Sequence, residues 1–472
     1  MQAKVKQISF VDIFSDIEFY FVENKPKLIQ LFNNYINLEE YIPQSFYNAY
    51  YSNTGHPRDF KLTSMLCALI IQKMLSIPET SLLINILHLS KELRDLCGFT
   101  RVPNASQFSR FKTDFVNHLH NFFNSLVSIT EPICHEINST LSDILIVDTT
   151  GFEGYVQENN PKFFDTLLRN SKKLEKINKD FNAHAYACSK MPKQSFANPD
   201  LKLSYINGHY CYSQKAAITT NGLGIVRHID FYDVQSIELD KVSSAEEAKD
   251  DYDAKSLIPV LKNFFNNHRD FKYKYFLGDK GFDAFDNYKF LVKEHGIIPI
   301  IPLNPRNSKN LPLPGTNEFG IPTCPNDPSL AMKYDGTVKE KNRPLRIKWL
   351  CPKTTKIARK GKTTYECSCL NPCTDSTCGR IYHTYPDKDY RMNTVVPRDS
   401  ELWNSLFKVR TIIERTIYML KYPLCCANTK LRNTSSIKAD VLLACITQQF
   451  AVILASKLNE SQKPLSIKSL LA

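Results

Sequence analysis

The chain has 472 residues, 43 % of them hydrophobic, which is enough for two to four domains or one large domain with insertions. Its 60 Lys and Arg residues outnumber its 48 Asp and Glu residues, and the resulting charge of +12 favours a polyanionic partner without requiring one. The N-terminal residues do not resemble a secretion signal, and no stretch is expected to reach the roughly 18 apolar residues that span a bilayer. We therefore expect a cytoplasmic protein with reduced cysteines and no membrane partner, and exclude a secreted, disulfide-bonded protein.

The N-terminal region, residues 1–125, is predicted to be a helical module. Apolar residues recur at helical spacing from Phe60 to about Phe122, with breaks at Pro78 and at "GFTRVPN". The last helix begins at "NASQFSRFKTDF", where Asn104 or Ser106 can cap its N-terminus. Its polar side chains are expected to point away from the phenylalanine stripe: Gln107, Ser109, Arg110, Lys112 and Thr113. This face suits a helix in a DNA groove, although a solvated helix face has the same pattern.

Five β-rich segments follow, and their order with the intervening helices is β-β-β-α-β-α-β. They are "SDILIVDTT", "HYCYSQKAAITT", "GIVRHIDFYD", "YKYFLGDKGF" and "GIIPIIPL", followed by the helix "SELWNSLFKVRTIIERTIYMLK". This order predicts an α+β fold with a ribonuclease-H-like mixed sheet flanked by helices. The core is assigned to residues 140–304 and 398–455, with a Cys-rich, basic insertion at residues 305–397.

Three carboxylates occupy matching places in this scheme. Asp148 is expected to end the first strand, Asp279 to end the fourth, and Glu414 to lie in the last helix. Because the first and fourth strands are neighbours in this topology, their ends would bring the two aspartates together. Hard oxygen ligands of this kind suit Mg²⁺ or Mn²⁺, and two such ions catalyse displacement at phosphorus. Each acid alone also has a structural interpretation, as a turn cap or an ion-pair partner.

The last helix is expected to carry two distinct faces. The predicted buried stripe consists of Leu402, Leu406, Val409, Ile413 and Leu420. A second face consists of Phe407, Arg410, Glu414 and Lys421, so the carboxylate is flanked by two cations. A metal-binding glutamate between phosphate-binding cations would have this pattern, and so would an exposed row of salt bridges.

Six of the 14 cysteines fall within the insertion, with His383 close by. They are Cys324, Cys351, Cys367, Cys369, Cys373 and Cys378. In a reducing compartment such a segment is most easily stabilised by Zn²⁺, although free thiols in a variable insertion are the alternative. Between Lys339 and Lys362 the insertion also has ten Lys or Arg residues and a single acid, Glu340, which favours contact with a DNA backbone.

Four stretches together resemble the DDE transposases of bacterial insertion sequences. They are "GHPRDFKLTSMLCALIIQKML…SKELRDLCGF…VPNASQFSRFK", "ILIVDTTGF", "FLGDKGFDAFDNY" and "RTIIERTIYMLK". The glutamate helix is similar to the family pattern Tyr-x2-Arg-x3-Glu-x6-Lys: Arg410, Glu414 and Lys421 match its last three places, and Phe407 stands where the Tyr would be.

The resemblance implies a cut-and-paste recombinase that acts on double-stranded DNA near the bacterial nucleoid. Asp148, Asp279 and Glu414 would be catalytic and hold two Mg²⁺ or Mn²⁺ ions, while Arg410 and Lys421 would hold phosphates at the element's terminal inverted repeats. The enzyme would join the freed 3′-hydroxyl to target DNA, and a homodimer would hold paired ends. Two alternatives remain open: a catalytically inactive, domesticated DNA-binding protein, and a metal-dependent nuclease of the same fold.

Overall fold

A computed structural model describes residues 27–52, 57–176, 181–206, 209–232, 245–304, 315–359, 362–427 and 429–460. The chain divides into two compact units. The first comprises Met1–Ile133, Tyr422–Lys430 and Ser435–Ala472, and the second comprises Cys134–Lys421 and Leu431–Thr434. The start of the predicted N-terminal region, residues 1–26, and the start of the predicted insertion, residues 305–314, lie outside the described residues.

Helices account for much of the described chain. In chain order they are α1 (Lys27–Tyr35), α2 (Gln44–Tyr50), α3 (Leu62–Met74), α4 (Thr80–Leu89), α5 (Lys91–Leu96), α6 (Ala105–Asp114), α7 (Val116–Ser142), α8 (Pro161–Glu175), α9 (Ala183–Ser189), α10 (Ala245–Asn267), α11 (Phe285–Lys289), α12 (Glu401–Val409), α13 (Thr411–Lys421) and α14 (Thr434–Lys457). Helix α6 begins with a capping box, in which Asn104 and Gln107 exchange side-chain to backbone hydrogen bonds. Asn104 is therefore the N-cap.

Helix α14 corrects the expectation that no segment is long and apolar enough to cross a membrane. An 18-residue window of α14 has a mean hydropathy of 1.6. However, 94 % of that window is buried within the protein, as in the core helix of a globular unit. Apart from its first residue, α14 belongs to the first unit, although the sequence placed residues 398–455 in the sheet-containing core.

The main sheet has six strands, with the order β2-β3-β1-β5-β6 and with β4 also paired to β3. Its strands are β1 (Ile144–Glu153), β2 (Lys202–Ile206), β3 (His209–Asn221), β4 (Val226–Tyr232), β5 (Tyr275–Leu277) and β6 (Ile298–Ile300). β1, β5 and β6 are parallel, whereas β3 runs antiparallel to β1, β2 and β4. The predicted mixed sheet is confirmed, and β2 is an additional strand that the sequence did not predict.

The two faces of this sheet are covered by different helices. Leu145 and Val147 pack with Leu257 and Leu261 of α10. Ile144 and Ile146 alternate with them and pack in a separate cluster on the other face, with residues of α12 and α13. At Gly151 of β1 an added Cβ would lie 1.9 Å from the Ile206 Cδ1 atom and 2.6 Å from the Ser213 Oγ atom, so a larger residue would require these side chains to shift.

The described part of the insertion forms small antiparallel sheets. These consist of β7 (Thr323–Cys324) with β8 (Asp327–Ala331), β9 (Lys333–Val338) and β13 (Ile381–Thr384) on either side of β10 (Arg346–Leu350), and β11 (Thr354–Arg359) with β12 (Lys362–Cys367). Met332, Ile347 and Trp349 form a small buried cluster. A core this small gives the segment limited apolar stabilisation of its own.

Candidate active site

Asp148 lies in the middle of β1 and not at its end, as the sequence predicted. β1 continues five residues further, because its antiparallel pairing with β3 runs without interruption from Leu145 to Glu153. Asp148 is opposite Ile218 in this ladder. Its Oδ1 atom accepts a 2.8 Å hydrogen bond from the backbone N–H of Thr149.

Asp279 follows β5 and begins a short 3₁₀ turn, Lys280–Phe282. Its backbone is extended, with φ −77° and ψ 177°, and its Oδ1 atom accepts a 2.9 Å hydrogen bond from the N–H of Gly281. The carboxylate therefore caps the turn with one oxygen. Capping and metal binding are compatible roles, since a carboxylate offers two oxygens with several acceptor sites.

The register of β1 and β5 relates the two aspartates. The last paired residues are Ile146 and Leu277, and each aspartate lies two positions further along its strand direction. Residues two apart in extended chains share a face, and neighbouring strands are about 4.8 Å apart. Ile146, Leu277 and Ile413 of α13 belong to one buried apolar cluster, so we expect both acids to follow the sheet face on which α13 packs.

Glu414 is the residue after Ile413, at the edge of this packed contact. Its side chain is 55 % exposed and accepts a 2.7 Å hydrogen bond from the Arg410 guanidinium. The same guanidinium lies over the Phe407 ring, 5.6 Å from its centroid. Three members of the predicted second face, Phe407, Arg410 and Glu414, therefore lie together, and Arg410 and Glu414 form an ion pair.

The predicted single helix consists of α12 and α13, which meet at Arg410. Leu406, Ile413 and Leu420 are buried, as predicted. Leu402 is 50 % exposed, so its assignment to the buried stripe was wrong. It lies in the first turn of α12, whereas Leu406, one turn later, packs in the cluster that includes the sheet residue Ile144.

Lys421, at the end of α13, is largely buried. Burial lowers the pKa of its ammonium group, and the Cys211 thiol and the acids Glu153 and Asp148 act in the opposite direction. Its Nζ atom lies 5.8 Å from the centroid of the Phe152 ring. A partly desolvated ammonium close to Asp148 is suited to a phosphate, which would offset the cost of burying the charge.

The donor set on this face fits divalent metal ions that prefer oxygen. Asp148 lies within β1 and Asp279 just after the neighbouring strand β5, while Glu414 is accessible on α13. Carboxylates without a thiolate or imidazole favour Mg²⁺ or Mn²⁺ over Zn²⁺. Within the described residues, however, Asp148, Asp279 and Glu414 do not form a compact group of donors within 4.8 Å of one another. The three-acid metal site and the phosphate-binding roles of Arg410 and Lys421 stay predictions.

Asp283, close in sequence to Asp279, is a buried acid that sequence reasoning missed. It ends the turn that Asp279 begins and forms a bidentate ion pair with Arg391, at 2.9 and 2.7 Å. The Tyr288 hydroxyl and the Asn304 N–H donate to the same carboxylate. The segment "GDKGFDAFD" contains three aspartates, and nothing in its spacing distinguishes the buried one.

Lys112 corrects the predicted DNA-binding face of α6. It is 3 % exposed and forms a 3.0 Å ion pair with Asp440 of α14. Gln107 is half-buried and engaged in the capping box, while Arg110 is exposed. Lys112 is buried beside Phe111, so the buried face of α6 is wider than the sequence indicated. The exposed polar face that could contact DNA is correspondingly narrower.

The six insertion cysteines are only partly brought together. The Sγ atoms of Cys351 and Cys367 lie 3.7 Å apart. Within the described residues, Cys324, Cys369, Cys373 and Cys378 do not join them in a compact group of three metal donors. The zinc module and its ligands stay a prediction.

Part of the insertion's positive charge is neutralised within the insertion itself. Arg346 forms an ion pair with Glu340, and Lys348 and Lys356 both pair with Asp335, at 2.8 and 3.1 Å. The predicted contact with DNA therefore depends on the remaining cations of the segment.

The described sheet and helices define an α+β protein with a mixed sheet, and sequence comparison identifies the family. Residues 141–449 match the family described as Transposase DDE domain, and residues 18–114 match the family described as Transposase domain (DUF772). The chain belongs to the Transposase DDE domain family. Membership of this family implies that the matched region has a ribonuclease-H-like fold and that the protein is a DNA transposase. No curated protein matches the chain.

Proposed function

We propose that the protein is a cut-and-paste DNA transposase that cleaves the ends of its own insertion sequence and joins them to target DNA. The observation that supports this most strongly is the strand register. Asp148 and Asp279 lie at equivalent positions beyond the last β1–β5 pair, on the face covered by α13 with Glu414. The family match supports DNA as the substrate.

Asp148, Asp279 and Glu414 are proposed to hold two Mg²⁺ or Mn²⁺ ions. Bound there, these ions would supply a more acidic attacking water or 3′-hydroxyl and stabilise charge on the leaving oxygen. The chain itself contributes fixed carboxylates: Asp279 is oriented by the N–H of Gly281, and Asp148 is held in a continuous ladder. Such preorganisation reduces the cost of assembling the site.

Arg410 and Lys421 are proposed to bind phosphates of the element's end. The Arg410 guanidinium pairs with the Glu414 carboxylate. This ion pair would break when the carboxylate binds metal and the guanidinium binds a phosphate. Lys421 adds a desolvated cation close to Asp148. The exposed Arg110 of α6, and the insertion cations outside the ion pairs described above, are proposed to contact the DNA backbone further from the scissile bond.

We further propose that a homodimer holds two element ends, because both must be processed in one reaction. The experiment is an in vitro reaction with linear DNA carrying the sequences that flank the gene, supercoiled target DNA and Mg²⁺. A transposase gives free 3′-OH ends and joined products flanked by short single-stranded gaps in the target, which become target duplications when a polymerase and ligase are added. Cleaved ends without joined products would indicate the nuclease alternative, and binding without cleavage would indicate the domesticated DNA-binding protein.

A further inference from the structure

A second group of metal donors lies at the far end of β1, outside the three-acid site. Among the residues that the structure describes, Glu153, His209 and Cys211 each offer one donor atom, and these atoms all lie within 4.8 Å of one another. The His209 Nε2 atom is 3.1 Å from the Glu153 carboxylate. His209 and Cys211 are two apart in β3 and so share a face of that strand.

From this geometry we propose that Glu153, His209 and Cys211 bind one Zn²⁺ or similar transition-metal ion, with solvent as the fourth ligand. In a tetrahedral zinc site the donor atoms are about 3.3–3.7 Å apart, given metal–ligand distances of about 2.0–2.3 Å. Small side-chain rotations would bring the donor atoms of Glu153, His209 and Cys211 from within 4.8 Å of one another to those separations. Its three donors are distinct from the three carboxylates proposed above, although Lys421 interacts with residues of both groups.

The chemistry of the donors separates this ion from the catalytic ones. A thiolate and an imidazole favour Zn²⁺ and disfavour Mg²⁺, whereas the three carboxylates have the opposite preference. The Cys211 side chain is buried, while Glu153 and His209 are 40 % and 54 % exposed. Two exposed ligands leave one side of the ion open to water, and the buried thiol anchors it to the sheet.

The local charge is compatible with a divalent ion. Lys421 interacts electrostatically with Cys211, Glu153 and Asp148, and Lys215 also interacts with Cys211. With the Cys211 thiol protonated, Glu153, Asp148, Lys421 and Lys215 sum to zero. Binding of Zn²⁺ releases the thiol proton to solvent, and the set then carries +1, a small excess that water on the exposed side of the site can screen.

The test is Co²⁺ titration of the full-length, metal-stripped protein under reducing conditions, followed by thiolate-to-cobalt absorption and by metal counting. We expect His209→Asn and Cys211→Ser each to lose one equivalent of Co²⁺ relative to wild type, and Glu153→Gln to bind it at least tenfold more weakly. The difference in bound Co²⁺ equivalents between wild type and each variant reports this site alone, because any metal held by the insertion is bound by both proteins. Added Zn²⁺ should displace the bound Co²⁺.

The matched control is Cys188→Ser. Cys188 lies 3.7 Å from the His184 ring but belongs to no three-donor group among the described residues, so its variant should keep the wild-type stoichiometry. His209 is half-exposed and its replacement should leave the fold intact, as checked by circular dichroism. A folded His209→Asn protein with unchanged Co²⁺ stoichiometry and absorption would overturn the proposal, as would a wild-type protein that binds no Co²⁺.

Discussion

The Arg410 guanidinium donates a 2.7 Å hydrogen bond to the Glu414 carboxylate, one helical turn away. The pair partly neutralises the acid that is proposed to bind metal. We predict that Arg410→Ala tightens metal binding roughly two- to fivefold, since half-exposed pairs contribute about 0.2–1 kcal/mol, and weakens binding of the element's end. Isothermal titration with Mn²⁺ and a DNA mobility-shift assay measure the two effects.

Arg415→Ala is the matched control for this prediction. Arg415 is an exposed neighbour on α13, and its removal changes the net charge by the same amount. It should leave Mn²⁺ affinity closer to the wild-type value than Arg410→Ala does. Weaker Mn²⁺ binding by Arg410→Ala than by wild type would contradict the proposed competition for Glu414.

The buried Asp283–Arg391 pair predicts a large loss of stability when one partner is removed. Arg391→Ala leaves the Asp283 carboxylate with two hydrogen-bond donors but without its cation, and breaking such a pair costs about 3–5 kcal/mol. Urea unfolding gives the free energy. Lys388→Ala, at an exposed position three residues earlier, should cost less than about 0.5 kcal/mol. Equal losses in the two variants would show that the pair is not stabilising.

A second buried charge cluster lies in the first unit, where Asp440 binds both Lys73 and Lys112, at 2.6 and 3.0 Å. Burial alone would raise the pKa of Asp440, but the two ammonium groups outweigh it and hold that pKa below its ordinary value. We predict that Asp440→Asn destabilises the protein by about 3–5 kcal/mol, since it leaves two buried cations without a counter-charge. Thermal unfolding measures this.

Asp95→Asn provides the comparison for Asp440→Asn. Asp95 pairs with Lys91 at 3.9 Å on an exposed surface, where an ion pair contributes little. A shift in melting temperature no larger for Asp440→Asn than for Asp95→Asn would be inconsistent with a stabilising buried cluster.

His268 predicts a specific pH dependence of stability. Burial, with smaller contributions from His228 and Arg227, lowers its pKa from 6.5 to about 4. As the pH falls from about 6.5 to 4 the unfolded chain binds this proton and the folded chain does not, so the free energy of unfolding decreases. The decrease should level off below pH 4 and amount to roughly 1–3 kcal/mol.

His268→Gln should remove that part of the pH dependence, measured by urea unfolding at half-unit steps between pH 4 and 7.5. His88→Gln, at an exposed position, should retain it. An unchanged slope in His268→Gln would show that another group is responsible.

Five of the six strands were predictable because they lie in uninterrupted β-rich runs, whereas β2 was not predicted. The alternation in "ILIVDTT" separates Ile144 and Ile146 from Leu145 and Val147. The end of β1 was not predictable in the same way. The sequence after Asp148 has turn-forming threonines and a glycine, yet pairing with β3 extends the strand to Glu153. Tertiary pairing outweighed local preference there.

The three acids were chosen from their positions in the element order and stay a prediction, whereas the partners of several other charged side chains could not be predicted. Lys112 lies on a helix with a polar pattern, and only the location of Asp440, 328 residues later in the chain, makes its burial favourable. Arg391 and Glu153 gain their partners in the same way, through long-range contacts that no local spacing reveals.

The proposed three-acid active site is tested by Mg²⁺-dependent cleavage of a labelled element end by wild type, Asp148→Asn, Asp279→Asn and Glu414→Gln. The control is Asp143→Asn, which changes a half-exposed aspartate just before β1. We predict that the three site variants bind the end but cleave it at least about 10³-fold more slowly, the order of loss expected when an essential catalytic interaction is removed, while Asp143→Asn cleaves normally. Wild-type cleavage by Asp148→Asn or Asp279→Asn would contradict the assignment of these carboxylates to the active site.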